Sequence, residues 1–178
     1  MGFDDMELTD RLALSGHLAL SVYDPGGQLV DYRAGDNVIT TGGYTALAAA
    51  LVWPGIEDQA AQIGQTNATY LTPLYGAIGT GTGTPAKSNT ALFTEIARQV
   101  VGAAASAPAT PTVAAQVTFL FYFPQPANAL TVTEAGMFAG ASDTPGSGNL
   151  IDHWAFSPSV AVSTTQSLIL QVSLALGP

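Results

Sequence analysis

The most informative part of this sequence spans residues 74–98 and reads LYGAIGTGTGTPAKSNTALFTEIAR. Residues 74–78 are an apolar run that predicts a buried strand. Residues 79–85 follow as a loop of alternating glycine and threonine that ends at Pro85. The rest of the stretch predicts a short amphipathic helix that carries Glu95 and Arg98 at helical spacing. We therefore expect a strand, a tight loop and a helix at the centre of the chain.

Strand signals dominate the sequence on either side. Alternating polarity or short apolar runs predict strands at residues 17–23, 28–33, 113–123, 130–138, 150–156, 160–162 and 167–176. Asp24-Pro25-Gly26-Gly27 predicts the turn of a hairpin between the first two. Residues 44–53, YTALAAALVW, predict a helix that Thr41 caps.

These patterns predict a fold built mainly of β-strands. We expect an antiparallel β-sandwich of jelly-roll-like form with two short helices. A length of 178 residues suggests one domain, which we place at residues 16–178, after an N-terminal arm of residues 1–15. Residues 56–72 are expected to form a surface loop, and residues 101–112 an exposed link rich in alanine and proline.

The composition excludes several classes of function. The chain has no cysteine, which excludes disulfides, thiolate metal sites and cysteine nucleophiles. Its formal net charge is −9, with Lys87 as the single lysine, so we expect no direct nucleic-acid partner. No apolar run approaches the ~20 residues of a membrane span, and no signal peptide is evident, so we expect synthesis in the cytoplasm and no membrane contact. Only 10% of residues are charged, against a typical ~25%, which fits surface buried in an assembly, although β proteins rich in Gly, Ser and Thr also tolerate so little charge.

The N-terminal arm combines four acidic side chains with Phe3, Met6 and Leu8. Its sequence fits a mobile terminus, because chain ends are usually disordered unless they are tied down. It also fits an arm that docks on a neighbouring subunit through those three apolar residues. The sequence leaves both interpretations open.

The loop at residues 79–84, GTGTGT, superficially resembles a phosphate-binding loop. The dinucleotide-binding pattern requires glycine where Thr84 stands, and the P-loop requires a lysine directly after glycine, whereas Lys87 follows Ala86. Because the loop follows a strand and precedes a predicted helix, anion binding remains an alternative to a tight structural turn. We favour the structural turn.

Glu95 and Glu134 could form a carboxylate pair of the kind that glycosidases use. A structural role is favoured, because Arg98 lies three residues after Glu95 and an ionised Glu134 in an apolar strand needs a partner. We expect Arg98 to pair with Glu134 across the core, and the three residues to brace the fold.

The remaining polar residues do not suggest catalysis. His17 and His153 are the only histidines, and Asp152 points to the opposite strand face from His153, so neither a catalytic triad nor a metal site is expected. We expect no enzymatic activity and no cofactor. A sugar-binding face is an alternative, lined by Tyr23, Tyr32, Trp53, Tyr70, Tyr75 and Trp154.

The order of motifs resembles that of tailed-bacteriophage virion proteins, especially the N-terminal domain of tail-collar and tail-fibre proteins. The shared motifs, over about residues 35–176, are the TGGY turn and helix of residues 41–51, the strand and Gly-Thr-Gly loop of residues 77–81, the Thr-x-Leu-x-x-Glu-x-x-Arg pattern of residues 90–98, the Thr-x-x-Glu-x-Gly-x-Phe pattern of residues 131–138 and the return strand of residues 148–151. The chain departs from the pattern in two ways: it carries a hairpin at residues 17–33, and it has no fibre shaft after residue 178.

The resemblance implies a non-enzymatic virion structural protein. Its size is similar to that of a capsid decoration protein or a small subunit that anchors a tail or fibre. Such a protein acts through contacts between subunits, and we expect a homotrimer that binds the major capsid protein or tail and baseplate subunits. The alternative function is a glycan-binding β-sandwich module for adhesion to the host surface.

Overall fold

The structure is a computed structural model, and it describes residues 13–52, 74–107 and 115–177. Within these ranges the chain is mainly β, as predicted, with one helix. In chain order, the elements are β1 (Ala13–Tyr23), β2 (Leu29–Asp36), β3 (Val38–Ile39), α1 (Thr41–Val52), β4 (Tyr75–Gly79), β5 (Glu95–Val100), β6 (Ala103–Ala107), β7 (Ala115–Phe123), β8 (Leu130–Ala139), β9 (Asn149–Val162) and β10 (Ser167–Gly177).

The strands form two antiparallel sheets of five strands each. Sheet I has the order β2-β1-β10-β7-β6, and sheet II has the order β3-β9-β8-β4-β5. Alternate side chains of sheet I point into a core that is shared with sheet II. Sheet I contributes Leu18, Leu20, Val22, Phe121, Phe123, Leu168, Leu170 and Val172, and sheet II contributes Ile78, Val132, Ala135, Met137, Ile151, Phe156, Val160 and Val162. The predicted alternation in β1, β7 and β10 is thus explained by burial of one face.

The predicted hairpin and the first predicted helix are both present. β1 pairs with β2 across the turn, where Gly27 has a φ of 79°, a conformation that favours glycine. Helix α1 begins at Thr41, but Thr40 rather than Thr41 caps it, because the Gly43 N–H donates to Thr40 Oγ1 at 3.1 Å. A side chain at Gly42 would lie 2.6 Å from the Leu150 carbonyl oxygen, so the glycine lets α1 start against the backbone of β9.

The second predicted helix is wrong. Residues 86–94 form turns and bends, and β5 begins at Glu95. A β-bulge in the pairing of β4 with β5 places Glu95 opposite Gly79 and leaves Ile96 as the extra residue. Because one extra residue reverses the alternation of a strand, Glu95 and Arg98 lie on the same face. A spacing that looked helical therefore comes from a bulged strand.

Several other predictions differ from the structure or fall on residues outside it. β6 occupies part of residues 101–112, which were predicted to be a link, and β9 joins the two strands predicted within residues 150–162. Strand β1 begins at Ala13, before the predicted domain start at residue 16. The arm residues Phe3, Met6 and Leu8, and the loop predicted at residues 56–72, lie outside the described residues.

The shared core makes a prediction about Gly76 in β4. A Cβ added at this position would lie 2.9 Å from Phe121 Cβ and closer still to the Phe121 ring, which is completely buried. Gly76→Ala should therefore lower the free energy of unfolding by about 1–3 kcal/mol, measured by urea denaturation.

Gly102→Ala is the matched control, since its nearest neighbour would be the Leu120 carbonyl oxygen at an ordinary 3.6 Å. We expect its free energy of unfolding to change by less than about 1 kcal/mol. Equal effects of the two substitutions would contradict the close packing of β4 on β7.

Candidate functional site

Glu134 is the centre of the most extensive buried polar network in the described residues. On β8, Glu134 directly precedes Ala135, which enters the shared core together with Met137. Because side chains alternate along a strand, the side chain of Glu134 points to the other side of sheet II. Glu134 is 0% exposed. An isolated carboxylate would be costly to bury there, so its hydrogen-bond partners decide whether the site is stable.

Three backbone N–H groups donate to this carboxylate. Oε1 accepts from Gly81 N at 2.9 Å and from Thr94 N at 2.7 Å, and Oε2 accepts from Phe93 N at 2.9 Å. All three donors belong to the loop of residues 80–94, which covers this side of sheet II. Thr133 adds a further contact, since its hydroxyl donates to the Gly81 carbonyl at 2.6 Å. The carboxylate therefore holds both ends of one loop.

The glycines of the Gly-Thr-Gly loop are explained by this close approach. A Cβ at Gly79 would lie 2.5 Å from Glu134 Oε1, and a Cβ at Gly81 would overlap the same oxygen. The loop thus contacts an anion of its own chain, through the Gly81 N–H. The glycines are therefore required by a tight structural turn that packs against Glu134, and the structural turn is the interpretation favoured from the sequence.

His153 is the fourth partner of Glu134, and this contact was not expected from the sequence. Its Nε2 lies 2.8 Å from Glu134 Oε2, and its Nδ1 lies 3.0 Å from Asn89 Oδ1, which itself accepts from Ala86 N. Burial lowers the pKa of His153, while the hydrogen bond to Glu134 and the charge of that carboxylate act in the opposite direction. The Phe93 ring covers the imidazole, with 4.9 Å between the ring centroids.

The predicted pair of Arg98 with Glu134 is wrong, because Arg98 binds Glu95. Arg98 Nε donates to Glu95 Oε1 at 2.5 Å, and Nη2 donates to Oε2 at 2.7 Å. The bulge that places both residues on one face of β5 makes this contact possible, and the oxygens of Glu134 are already occupied by the loop and His153.

Glu95 and Arg98 together hold a second loop, that of residues 140–148. Arg98 Nη1 donates to the carbonyls of Ser142 at 2.9 Å and Ser147 at 3.1 Å, and Glu95 Oε2 accepts from Gly146 N at 3.1 Å. The guanidinium also stacks 4.7 Å from the centroid of the Phe138 ring. Glu95, Arg98 and Glu134 therefore contact two loops from separate positions on sheet II.

Asp152 has different partners from its neighbour His153, as expected of a pair that forms no dyad. Its Oδ1 accepts from Met137 N at 2.8 Å, and its Oδ2 accepts from Asn37 Nδ2 at 2.8 Å. Burial raises the pKa of Asp152 to about 7, although both hydrogen bonds favour the ionised form.

The geometry of the Glu134 network suits a brace better than a reacting group. Both Glu134 and His153 are 0% exposed, and the contacts that bury them are the loop contacts that satisfy them. Within the described residues, no group of three His, Asp or Glu side chains has the arrangement of a metal site. The network could have been anticipated only from the pairing of β8 with β9, which places His153 diagonally across from Glu134.

A separate cavity of about 580 Å³ lies beside the start of β1. Its polar lining includes His17, Asp36, Asn37 and Lys87, and Tyr44 is the aromatic residue among the described residues that line it. His17 Nδ1 lies 3.1 Å from Asp36 Oδ1, and the Lys87 ammonium lies 5.8 Å from the centroid of Tyr44. Among the described residues, this cavity could hold a small polar ligand.

Comparison with known proteins adds no assignment. No model of a known protein family matches this sequence, and no curated protein matches it. A helix with the length and apolar character that a membrane crossing requires is not found among the described residues. The function has to be inferred from the geometry of the molecule and from the motifs of its sequence.

Removing the charge of Glu134 should weaken the fold. In Glu134→Gln, an amide N–H₂ faces either a backbone N–H or His153, so at least one buried contact is lost and we expect a loss of about 3 kcal/mol in the free energy of unfolding. Urea denaturation checks this value. Asp143→Asn, in an exposed part of the loop of residues 140–148, is the control and should change little. An unchanged stability for Glu134→Gln would contradict the bracing role.

Asp152 should make stability fall as the pH rises from about 4 to 7. Its folded-state pKa of about 7 lies above the ordinary value of 3.8, so the folded protein retains a proton that the unfolded chain has released. Its contribution is therefore fully present below pH 3.8 and is lost as the pH passes through 7. The free energy of unfolding of wild type minus that of Asp152→Asn should decline by up to about 1.4 kcal/mol per pH unit and then level off.

The subtraction in this experiment removes other titrations. His153 has the opposite sign, because its lowered pKa reduces stability as the pH falls below its ordinary value, but it is present in both proteins. A difference for Asp152→Asn that is constant, or that rises, between pH 4 and 7 would show that burial does not raise the pKa of Asp152.

Proposed function

We propose that this chain is a non-enzymatic structural protein of a bacteriophage virion, either a capsid decoration protein or a subunit that anchors a tail or fibre. It is synthesised in the host cytoplasm and incorporated into the virion. It acts through contacts with other virion proteins, the major capsid protein or tail and baseplate subunits, and assembles as a homotrimer. Its two antiparallel five-stranded sheets around one core support a β-sandwich, and the jelly-roll-like form expected from the sequence is part of the proposal.

One observation carries this proposal: the motifs that resemble those of phage virion proteins contain the residues whose buried contacts hold the loops of sheet II. Glu134, from the motif of residues 131–138, binds Gly81 of the Gly-Thr-Gly loop and Thr94 of the motif of residues 90–98. Glu95 and Arg98 of the latter motif fix another loop. The residues that carry the resemblance thus support the architecture, which favours a scaffold over an enzyme whose polar groups must meet a substrate.

A second candidate function is glycan binding, which the cavity beside Tyr44 favours. Sugar sites combine an aromatic surface with a few polar side chains, and the cavity offers Tyr44 with His17, Asp36, Asn37 and Lys87. Its lining contains a single aromatic residue among those described, whereas Tyr32 and Tyr122 project from sheet I. The virion structural role is therefore our first proposal.

Light scattering of the purified protein tests the proposed assembly. We expect a mass that is a multiple of three chains, and a shift to smaller species when residues 2–12 are deleted. The deletion spares β1, which begins at Ala13. A variant with serine at Phe3, Met6 and Leu8 keeps the acidic residues of the arm and should weaken assembly to a similar extent, since apolar contacts provide the docking.

The outcome also separates the two candidate functions. A full-length protein that stays monomeric, and that binds glycans on an array in a manner abolished by Tyr44→Ala, would favour the adhesion module. A multiple of three chains that is unaffected by the deletion would leave the trimer standing but contradict the docking arm.

A further inference from the structure

The outer face of sheet I, defined as the side chains of its strands that point away from the shared core, is almost free of charge. On β1, β10 and β7 it carries no Asp, Glu, Lys or Arg. The charged residue on this face in the described part of the chain is Asp36, at the edge strand β2, and it contacts His17. A protein with a formal net charge of −9 thus presents a broad and largely neutral surface, which is bordered at one end by the cavity that Lys87 lines together with His17 and Ser173.

The polar groups of the outer face are partly satisfied among themselves. Ser173 Oγ lies 2.9 Å from Thr118 Oγ1 across the pairing of β10 with β7. Ser173 is only 4% exposed and Ala19 only 5%, whereas Gln116, Gln171 and Tyr122 are exposed. Removing water from this surface costs less than it would from a charged one, because its exposed polar groups are neutral.

Three successive rows of the outer face each pair a small side chain with a larger one on the two sides of β10. In one row, Ser21 on β1 stands level with Tyr122 on β7. In the next row, Ala19 on β1 lies on the opposite side of β10 from Leu120 on β7. In the row after it the order is reversed, with His17 on β1 and Thr118 on β7.

We propose that two copies of this chain pack outer face to outer face about a two-fold axis that runs along β10. Such an axis places β1 of each copy against β7 of the other, so Ser21 meets Tyr122 and Ala19 meets Leu120. The large and small side chains then complement each other. Tyr32 on β2 is 52% exposed, and the axis places it against β6 of the other copy. It fills the space beyond the end of that strand, whose pairing with β7 stops at Leu120.

Charge and area both favour a second copy as the partner. Two chains with a net charge of −9 repel each other, and the neutral face is where they can approach with the least repulsion. Five strands about 4.8 Å apart, with about eight residues of ~3.3 Å each, cover roughly 600–700 Å² per copy. This area approaches the ~800 Å² per partner of a standard stable interface.

The contact is independent of the proposed virion role and of the proposed trimer. A trimer contains no two-fold axis, so this contact would pair free subunits or join one trimer to another. Either way, losing the contact halves the mass of the particle in solution, and that change can be measured whatever the smaller unit is.

Single cysteines provide the first test, since the chain has none of its own. Gln171 is exposed on β10 and would lie on the axis, facing Gln171 of the second copy. Gln171→Cys should therefore form covalent dimers with a short bismaleimide that spans the ~10 Å between packed sheets. Ala161→Cys, exposed on β9 of sheet II, is the control and should not.

A mixture of two variants tests the two-fold arrangement itself. Ser21→Cys and Tyr122→Cys should cross-link to each other when mixed, and much less when each is alone, because the axis brings β1 of one copy onto β7 of the other. Equal cross-linking of the separate variants, or none in the mixture, would overturn the proposed geometry.

Light scattering provides the second test. Leu120→Asp, which adds a charge to the outer face, should halve the particle mass, and Val100→Asp on β5 of sheet II is its matched control at similar exposure and should leave the mass unchanged. Circular dichroism checks that both variants keep their strands. If Leu120→Asp keeps the wild-type mass, or Gln171→Cys gives no dimer, the outer face is covered by something other than a second copy and the proposal fails.

Discussion

The described structure depends above all on the way that Glu134 is buried. A carboxylate taken out of water must be compensated by hydrogen bonds or opposite charge, at a cost of several kcal/mol if it is not. Here the compensation comes from Gly81, Phe93 and Thr94 through their backbone N–H groups, and from His153. The dependence is mutual, because those N–H groups have left regular secondary structure and would themselves be unsatisfied without the carboxylate. The loop of residues 80–94 and the charge beneath it can only be stable together.

This requirement makes the two sheets different from each other. The loops held by Glu134 and by Arg98 cover the far side of sheet II, where a second small core forms from Ala77, Leu92, Phe138, Ala141 and Leu150. Strand β4 and residues 135–139 of β8 are consequently buried on both faces and read as short apolar runs rather than as alternating patterns. Sheet I is covered by the described residues on one side only, and its strands alternate.

The sequence predicted what depends on local pattern and missed what depends on pairing. Alternation was enough for β1, β7 and β10, and the run of alanine and leucine after Gly43 was enough for α1. The helix proposed around Glu95 and Arg98 failed because a bulge in a strand gives the same spacing of side chains on one face. Two separate strands were predicted within β9, but the strand continues through Pro158. This proline falls where the register with β8 shifts between Ala155 and Val160, a place where a strand tolerates proline.

The candidate site shows the same division. Glu134 was identified as a buried charge that needed a partner, but Arg98 was predicted to be that partner. Either Arg98 or His153 could compensate the charge of Glu134, and the sequence does not distinguish between them. Only the pairing of β8 with β9 brings His153 into reach, and only the closed loop brings the N–H groups there.

The placement of ionisable groups connects the fold to its surface chemistry. Of the few charged or titratable side chains in the described residues, Glu134, His153, Asp152 and Arg98 are buried, and Glu95 is nearly so. Their energetic role is internal, in holding loops against sheet II. Six of the ten Asp, Glu, Lys and Arg residues in the described part of the chain lie at least partly at the surface, but of these only Asp36 lies on the outer face of sheet I. The buried charges close sheet II, and the outer face of sheet I is left with almost no charge that another protein would have to dehydrate on covering it.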